Sequence, residues 1–247
     1  MQKFFKNSRD IEQNEITLDG ADARHICYSL RMAEGEKIVV CDGEGTDCLC
    51  RLVRLTGDSV TAEVLERRPS DTEPPYRAVL YQALAKGDKM DYIIQKATEF
   101  GVAEIVPFES ARCIARIKEG GAEKKTARWQ RIAEEAAKQC GRGRIPRVSA
   151  PVEFRQAVGL AASEDGRAFI CYENERTRSI AEIESAAEVY SFFIGPEGGF
   201  EEEEVRFAET AGVIPVGLGN RILRCESASG FVLSCLSFMN ELGGQRR

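Results

Sequence analysis

Two glycine-rich stretches near the carboxyl end carry the residue types best suited to chemistry. In Phe193 to Phe200, FIGPEGGF, an apolar run ends in three glycines and a proline before the acidic residues Glu201 to Glu204. Glycine lets a backbone approach a ligand closely and expose its N–H groups, and the acids suit the positive end of a helix dipole. By itself this stretch reads equally well as a tight turn before a well-charged helix. The second, Val216 to Ser229, VGLGNRILRCESAS, again pairs an apolar run with a glycine loop and a Ser-rich helix start. A plain connection would be polar throughout, yet apolar Ile222 and Leu223 sit between Arg221 and Arg224. An apolar wall beside backbone donors and two cations suits a flat aromatic base joined to an anionic partner.

Other chemistries are excluded by residue counts. The single histidine, His25, is the only one available to a Ser-His-Asp or Cys-His arrangement, and two-histidine metal sites cannot be built within one chain. The nine cysteines include no C-x-x-C pair, and Cys48 and Cys50 are one residue apart in a strand-like run, so no metal is expected. No Gly-Lys dipeptide exists to form a Walker A loop, and G-x-G-x-x-G does not occur in register. His25 reads equally as an RNA contact or as a residue satisfied within its own helix.

The net charge of −6 conceals an asymmetry. From Arg112 to Arg147 there are eleven basic residues against four acids, a net of +7 that leaves −13 for the remainder. Such a stretch is the footprint of a surface that meets phosphates, or else a solvated helix face with paired charges.

The elements that must position these residues follow from periodicity. Three prolines and two acids in Arg68 to Pro75, RPSDTEPP, mark a boundary. We expect domains over 1–70 and 76–247 with 71–75 as linker. Before the linker, Lys37 to Cys41, Cys48 to Leu55 and Val60 to Leu65 read as strands separated by glycine turns, with one helix near Ala21 to Met32. After it, strands and helices alternate. Ala78 to Leu84, Glu104 to Pro107, Ala168 to Tyr172, Val189 to Ile194 and Val213 to Gly217 read as strands. Met90 to Phe100 and Lys124 to Cys140 read as helices, so the fold class is α/β with a mostly parallel sheet. Ligands bind outside the carboxyl ends of such strands, which is where both glycine loops fall.

The 247 residues, 43% hydrophobic and 30% charged, are ordinary for a globular protein, with no run apolar enough to span a membrane. The charged amino terminus is unlike a signal peptide and the odd cysteine count argues for reduced thiols, so a cytoplasmic location is expected.

GPEGG (Gly195 to Gly199) and LGNRILRCES (Leu218 to Ser227) together closely resemble the knotted SPOUT methyltransferases, specifically the bacterial small-subunit methyltransferase E family. Further stretches support the resemblance: HICYSLRMAEGEKIVVCDGEG (His25 to Gly45) is similar to that family's PUA-like domain, KGDKMDYIIQKATEFGVAEIVP (Lys86 to Pro107) to its first catalytic strand and helix, and EAAKQCGRGRIP (Glu135 to Pro146) to its basic segment. Where family members commonly have Glu-Thr-Ala, this chain reads Glu226-Ser227-Ala228, which keeps the hydroxyl.

The resemblance implies a small PUA-like β-barrel before a trefoil-knotted SPOUT domain, S-adenosylmethionine as cofactor, N3 of a uridine in 16S ribosomal RNA or the small ribosomal subunit as target, and a homodimer. Expected cofactor contacts are Tyr172, Gly195, Pro196, Glu197, Gly198, Val216, Leu218, Gly219, Ile222 and Leu223. Expected RNA contacts are Arg31, Lys124, Lys125, Arg128, Arg142 and Arg144. Methylation at N3 needs no covalent enzyme intermediate but does need a proton removed and charge stabilised, for which Arg224 and Arg142 are the candidate cations and Glu226 or a water the candidate acceptor. A noncatalytic RNA-binding or ribosome-assembly protein, and a SPOUT enzyme acting on another RNA position or a protein, are the alternatives. In Ala228 to Leu242, apolar Phe231, Val232, Leu233, Cys235, Leu236, Phe238, Met239 and Leu242 spread wider than one sheet face covers, which fits either a helix wholly enclosed in one subunit or a second copy, and the pairing that the resemblance implies favours the second copy.

Overall fold

The computed structural model describes residues 1–7, 11, 14–117, 120–185 and 187–242. They form two compact units: Met1–Glu73 with Ala137–Ile145, and Pro74–Ala136 with Pro146–Arg247. The division thus falls between Glu73 and Pro74, and a segment from the middle of the chain belongs with the amino-terminal unit.

The first unit is a five-stranded sheet of β1 (Lys3–Phe5), β2 (Glu15–Asp19), β3 (Lys37–Cys41), β4 (Thr46–Leu55) and β5 (Ser59–Pro69) in the order β1-β3-β4-β5-β2. β1 lies parallel to β3, and the remaining pairs are antiparallel. In β2, EITLD alternates exposed and buried, as a strand with one wet face must. Ile16 and Leu18 pack there with Ile26, Ile38, Val40, Cys48, Cys50, Leu52 and Val60. The expected helix over Ala21 to Met32 is shorter and mixed. A single α-turn, α1 (Gly20–Arg24), loosens into a π-helical turn, His25–Ser29, and Arg31 ends it with φ at 54°, in the left-handed region.

Ala137–Ile145 joins this sheet through specific bonds. The Ile145 N–H donates to the Gly43 carbonyl, and Glu44 and Arg144 form an antiparallel bridge. Lys3 Nζ donates to the Gly141 carbonyl at 3.1 Å, and the Cys41 thiol donates to that of Gly143 at 3.0 Å.

The second unit is built on β6 (Arg77–Ala83), α2 (Lys89–Glu99), β7 (Glu104–Glu109), α3 (Ala122–Cys140, its end in the first unit), β8 (Arg147–Val148) and β9 (Val152–Glu153). It continues through α4 (Phe154–Ser163), β10 (Arg167–Cys171), β11 (Val189–Ile194), α5 (Glu202–Thr210), β12 (Ile214–Val216) and α6 (Cys225–Ser237), closing in a π-helical turn, Phe238–Leu242. The strands run β12-β10-β11-β6-β7-β8, with β9 also on β7, and every pairing is parallel. β6 and β11 are buried almost throughout, which is why they read as continuous apolar runs. Tyr81 stacks on Phe193 with centroids 4.5 Å apart, and Phe108, Phe154 and Phe200 complete an aromatic core. Phe200, immediately after the GPEGG loop, is buried and ties that loop down. Trp129 and Tyr76 are buried packing residues.

Candidate active site

β12, β10 and β11 are neighbours in the parallel sheet, so their carboxyl ends open side by side. The loops leaving them enclose a cavity of about 460 Å³, of a size that holds a small ligand. Of the residues expected to contact cofactor, Tyr172, Gly195, Pro196, Glu197, Gly198, Leu218, Gly219, Ile222 and Leu223 all line it, together with Arg224 and Glu226. Val216 does not. It lies in the buried end of β12, where its carbonyl accepts from the Tyr172 N–H at 3.0 Å.

Local geometry explains the glycines that matter most. A Cβ on Gly217 would stand 2.5 Å from the Glu175 carbonyl oxygen, and Gly219 holds φ at +95° beside open space. Both positions require a residue without a side chain. Ile222 is 80% exposed, an apolar side chain presented to the cavity. Leu223, half-buried, packs on the core behind.

Charge is organised asymmetrically. Arg176, Arg221 and Arg224 line the cavity, exposed and outside the ion pairs formed among the described residues. Opposite in sign stand Glu197 and Glu226, both held by Lys89 of α2, with Nζ 3.1 Å from Glu197 Oε1 and 3.6 Å from Glu226 Oε2. Glu197 Oε1 also accepts the Lys86 N–H, and the Cys225 thiol donates to Glu226 Oε2. Burial works to raise both carboxyls, but hydrogen bonds from backbone N–H groups and Lys89, with that of Cys225 for Glu226, outweigh it and hold both below the usual range. Burial, then the Glu226 hydrogen bond and charge, push the Cys225 thiol up to about 12, so it stays protonated.

The residues expected on RNA separate into two kinds. Lys124 and Lys125 are exposed on α3, Arg144 is exposed after it, and Arg31 is exposed in the first unit. Arg128 is exposed but pairs with Asp91. Arg142 is not among the residues lining the cavity. It is 4% exposed in the first unit, where Nη2 donates to Glu73 Oε2 at 2.6 Å and Nε to Oε1 at 3.3 Å. Glu73 Oε1 also takes the N–H groups of Gly143 and Arg144, so this pair fixes the turn after α3. Within the basic stretch, Arg112 is likewise spent on structure, donating to the Gly198 carbonyl and lying 3.8 Å from Glu201. His25 makes an edge contact with Phe4.

Lys89, Glu173 and Arg176 line the cavity without belonging to either glycine loop. One of them had a signal in the sequence: Lys89 begins a helix, where the dipole favours acids. Glu173 and Arg176 follow Tyr172 in a polar segment with no distinguishing pattern, and only the place of β10 between β11 and β12 brings them in.

The sequence and the fold have counterparts among known proteins. A family described as an RNA methyltransferase domain matches residues 72–237, and an RNA methyltransferase PUA domain matches 18–65. Ribosomal RNA small subunit methyltransferase E of Bacillus subtilis is 36% identical, covering 98% of this chain and 98% of its own length. The protein of that name from Aquifex aeolicus is 30% identical over 96% of this chain and 99% of its own. The crystal structure of ribosomal RNA small subunit methyltransferase E from Neisseria gonorrhoeae, bound to S-adenosyl methionine, superposes with a TM-score of 0.83 at 32% identity, covering 96% of this chain and 97% of that one. By family match, by full-length identity and by fold, the chain belongs to the ribosomal RNA small subunit methyltransferase E family of RNA methyltransferases.

Proposed function

We propose that this chain methylates N3 of a uridine in 16S ribosomal RNA of the small subunit, using S-adenosylmethionine held between the GPEGG loop and the loop that leads into α6. The observation that carries the reading is Ile222, an apolar side chain 80% exposed on a cavity wall that also carries arginines outside the ion pairs of the described residues. The residues fit the cofactor in kind: Ile222, Leu223 and Leu218 for an adenine face, backbone groups of the glycine turns for its polar edge, and Glu197 with Glu226, two carboxylates sharing one lysine and so net negative, for its positive charges. A relative of this family was solved with that cofactor bound. When bound, the cofactor supplies an electrophilic methyl group on a sulfonium.

The remaining work belongs to the chain. Uracil N3 must lose its proton before its lone pair can take the methyl, and the negative charge spreads to the flanking carbonyl oxygens. Arg224, exposed at the cavity and outside the ion pairs of the described residues, would stabilise that charge. Glu226 is held ionised with a lowered pKa, yet it is still a stronger base than a neutral water, so it is the acceptor for the N3 proton, directly or through a water that it orients. Arg142, engaged with Glu73, acts by fixing the basic turn rather than by touching the base. Lys124, Lys125 and Arg144, with Arg31 of the first unit, supply phosphate contacts. The 1–70 region serves as the RNA-binding module, and the reaction belongs to the cytoplasm.

The active form is read as a homodimer. Phe238 and Leu242 are 65% and 64% exposed, and Phe231, Cys235 and Met239 line an apolar groove with Ile180 and Ala181. A second copy would cover this surface across a two-fold axis. Among the described residues no helix is long and apolar enough to cross a membrane.

Incubating the protein with methyl-labelled cofactor and small-subunit RNA, then mapping the label by digestion and mass spectrometry, tests the reading. A single methylated uridine at N3 is expected, and label on a different base or on protein would overturn it.

A further inference from the structure

Lys89 stands where a lysine is unfavourable on local grounds. It is the first residue of α2, at the positive end of an eleven-residue helix, where the dipole disfavours cations and acids are the usual choice. No intrahelical acid pairs with it; its partners come from two other segments of the chain. Glu197 belongs to the loop after β11, and Glu226 to the first turn of α6. The ammonium is the common point of attachment between the two loops that wall the cavity and the helix beside them.

We propose that Lys89 is a positioning residue that locks the GPEGG loop to the start of α6 through Glu197 and Glu226, keeping the cofactor cradle assembled. The inference rests on the methyltransferase reading of the cavity. Three ionisable groups face the ammonium: Glu197 from the β11 loop, and Cys225 and Glu226 from α6. Cys225 is a protonated thiol, so the balance involves the lysine and two carboxylates. Each carboxylate also has backbone N–H donors, which would remain after the lysine is removed. What would be lost is the one group that touches both. Without it, two negative groups that now share a cation would be left facing each other across the cavity mouth, and one of them would take up a proton more readily.

Lys89→Met and Lys89→Arg test this in the full chain. Carbon-13 NMR of the glutamate carboxyls, on protein free of cofactor, should show one titration moving upward in Lys89→Met and returning in Lys89→Arg. Calorimetry with S-adenosylmethionine should show affinity weakened on the order of tenfold in Lys89→Met and largely restored in Lys89→Arg. The acid limb of the pH profile for methyl transfer should shift upward in the same variant. Unchanged carboxyl titrations in Lys89→Met would overturn the proposal, as would a loss of melting temperature that arginine does not rescue and that leaves cofactor affinity intact. Wild-type protein that neither binds the cofactor nor methylates RNA, yet whose carboxyls still respond to Lys89→Met, would instead overturn the methyltransferase reading.

Discussion

Arg142 and Arg224 carry the same guanidinium, and the two regions that hold them use it in opposite ways. Around Arg142 the chain closes on itself. Glu73 accepts from the guanidinium and from two backbone N–H groups, Lys3 and Cys41 donate to the carbonyls on either side, and the side chain is 5% exposed. Around Arg224 the chain stays open, with Arg176 and Arg221 equally outside the ion pairs of the described residues and Ile222 80% exposed. A charge already neutralised by its own chain has little left for a ligand, while an exposed one beside apolar wall still has its interaction to make. Positive charge marks a functional surface only after its internal partners have been subtracted.

The comparison breaks most visibly if Arg142 and Arg224 are each truncated. Arg142→Ala leaves Glu73 partly buried without its partner and should cost about 3 kcal/mol of first-unit stability by calorimetry, with cofactor affinity unchanged. A surface role for Arg142 would show instead as weaker RNA binding at unaltered melting temperature. The same clamp sets a pH dependence. Burial tends to raise the Glu73 carboxyl, but Arg142 and the backbone N–H groups more than compensate, so its folded pKa lies below the unfolded one. The clamp's contribution is therefore complete above the ordinary glutamate value of about 4.3 and is lost as pH falls through the lower folded value. Melting of the first unit followed by circular dichroism across that window should show the loss, and Arg142→Ala should flatten it.

Arg224→Ala should do the reverse, slowing methyl transfer about 100-fold in single-turnover assays with no change in melting temperature. Ile222→Ser sharpens the contrast at smaller scale. Because the side chain is uncovered in the free chain, its removal should leave stability alone while weakening S-adenosylmethionine about tenfold by calorimetry. The smallest effect is expected on α3. Neutralising Lys124 and Lys125 should flatten the salt dependence of RNA binding by roughly 0.7 to 0.9 per lost phosphate contact, while adding Arg128, already paired with Asp91, should change the slope little further.

The strands β3 to β7 and β10 to β12 and the two long helices are legible to within a residue or two at most ends, because burial on both faces of a parallel sheet writes unbroken apolar runs such as VYSFFI, whereas β1, β2, β8 and β9, at two to five residues, are short and are not read. The amino-terminal helix was less so. HICYS has helical periodicity but lies in a π-helical turn, and the left-handed conformation of Arg31 has no marker when the residue is not glycine. The glycine loops stand out as the walls of a cavity because apolar residues between arginines have no place in an ordinary connection. Between Val216 and Gly217 the sequence draws no line: the strand's last buried residue and the loop's first cavity-lining residue are neighbours.

The sequence by itself determined the α/β class, the two glycine turns, the charge asymmetry and, through motifs spread over most of the chain, the family. These are local properties, written in consecutive residues or in a fixed period. Only the tertiary structure decided which charges are spoken for. Glu73 reaches Arg142 across 69 positions, and Glu197 reaches the Lys86 N–H across 111. It also decided that β10 lies between β11 and β12, which brings Glu173 and Arg176 to the cavity. Pairing of distant side chains depends on where the chain returns to in space, and no short stretch of sequence specifies that return.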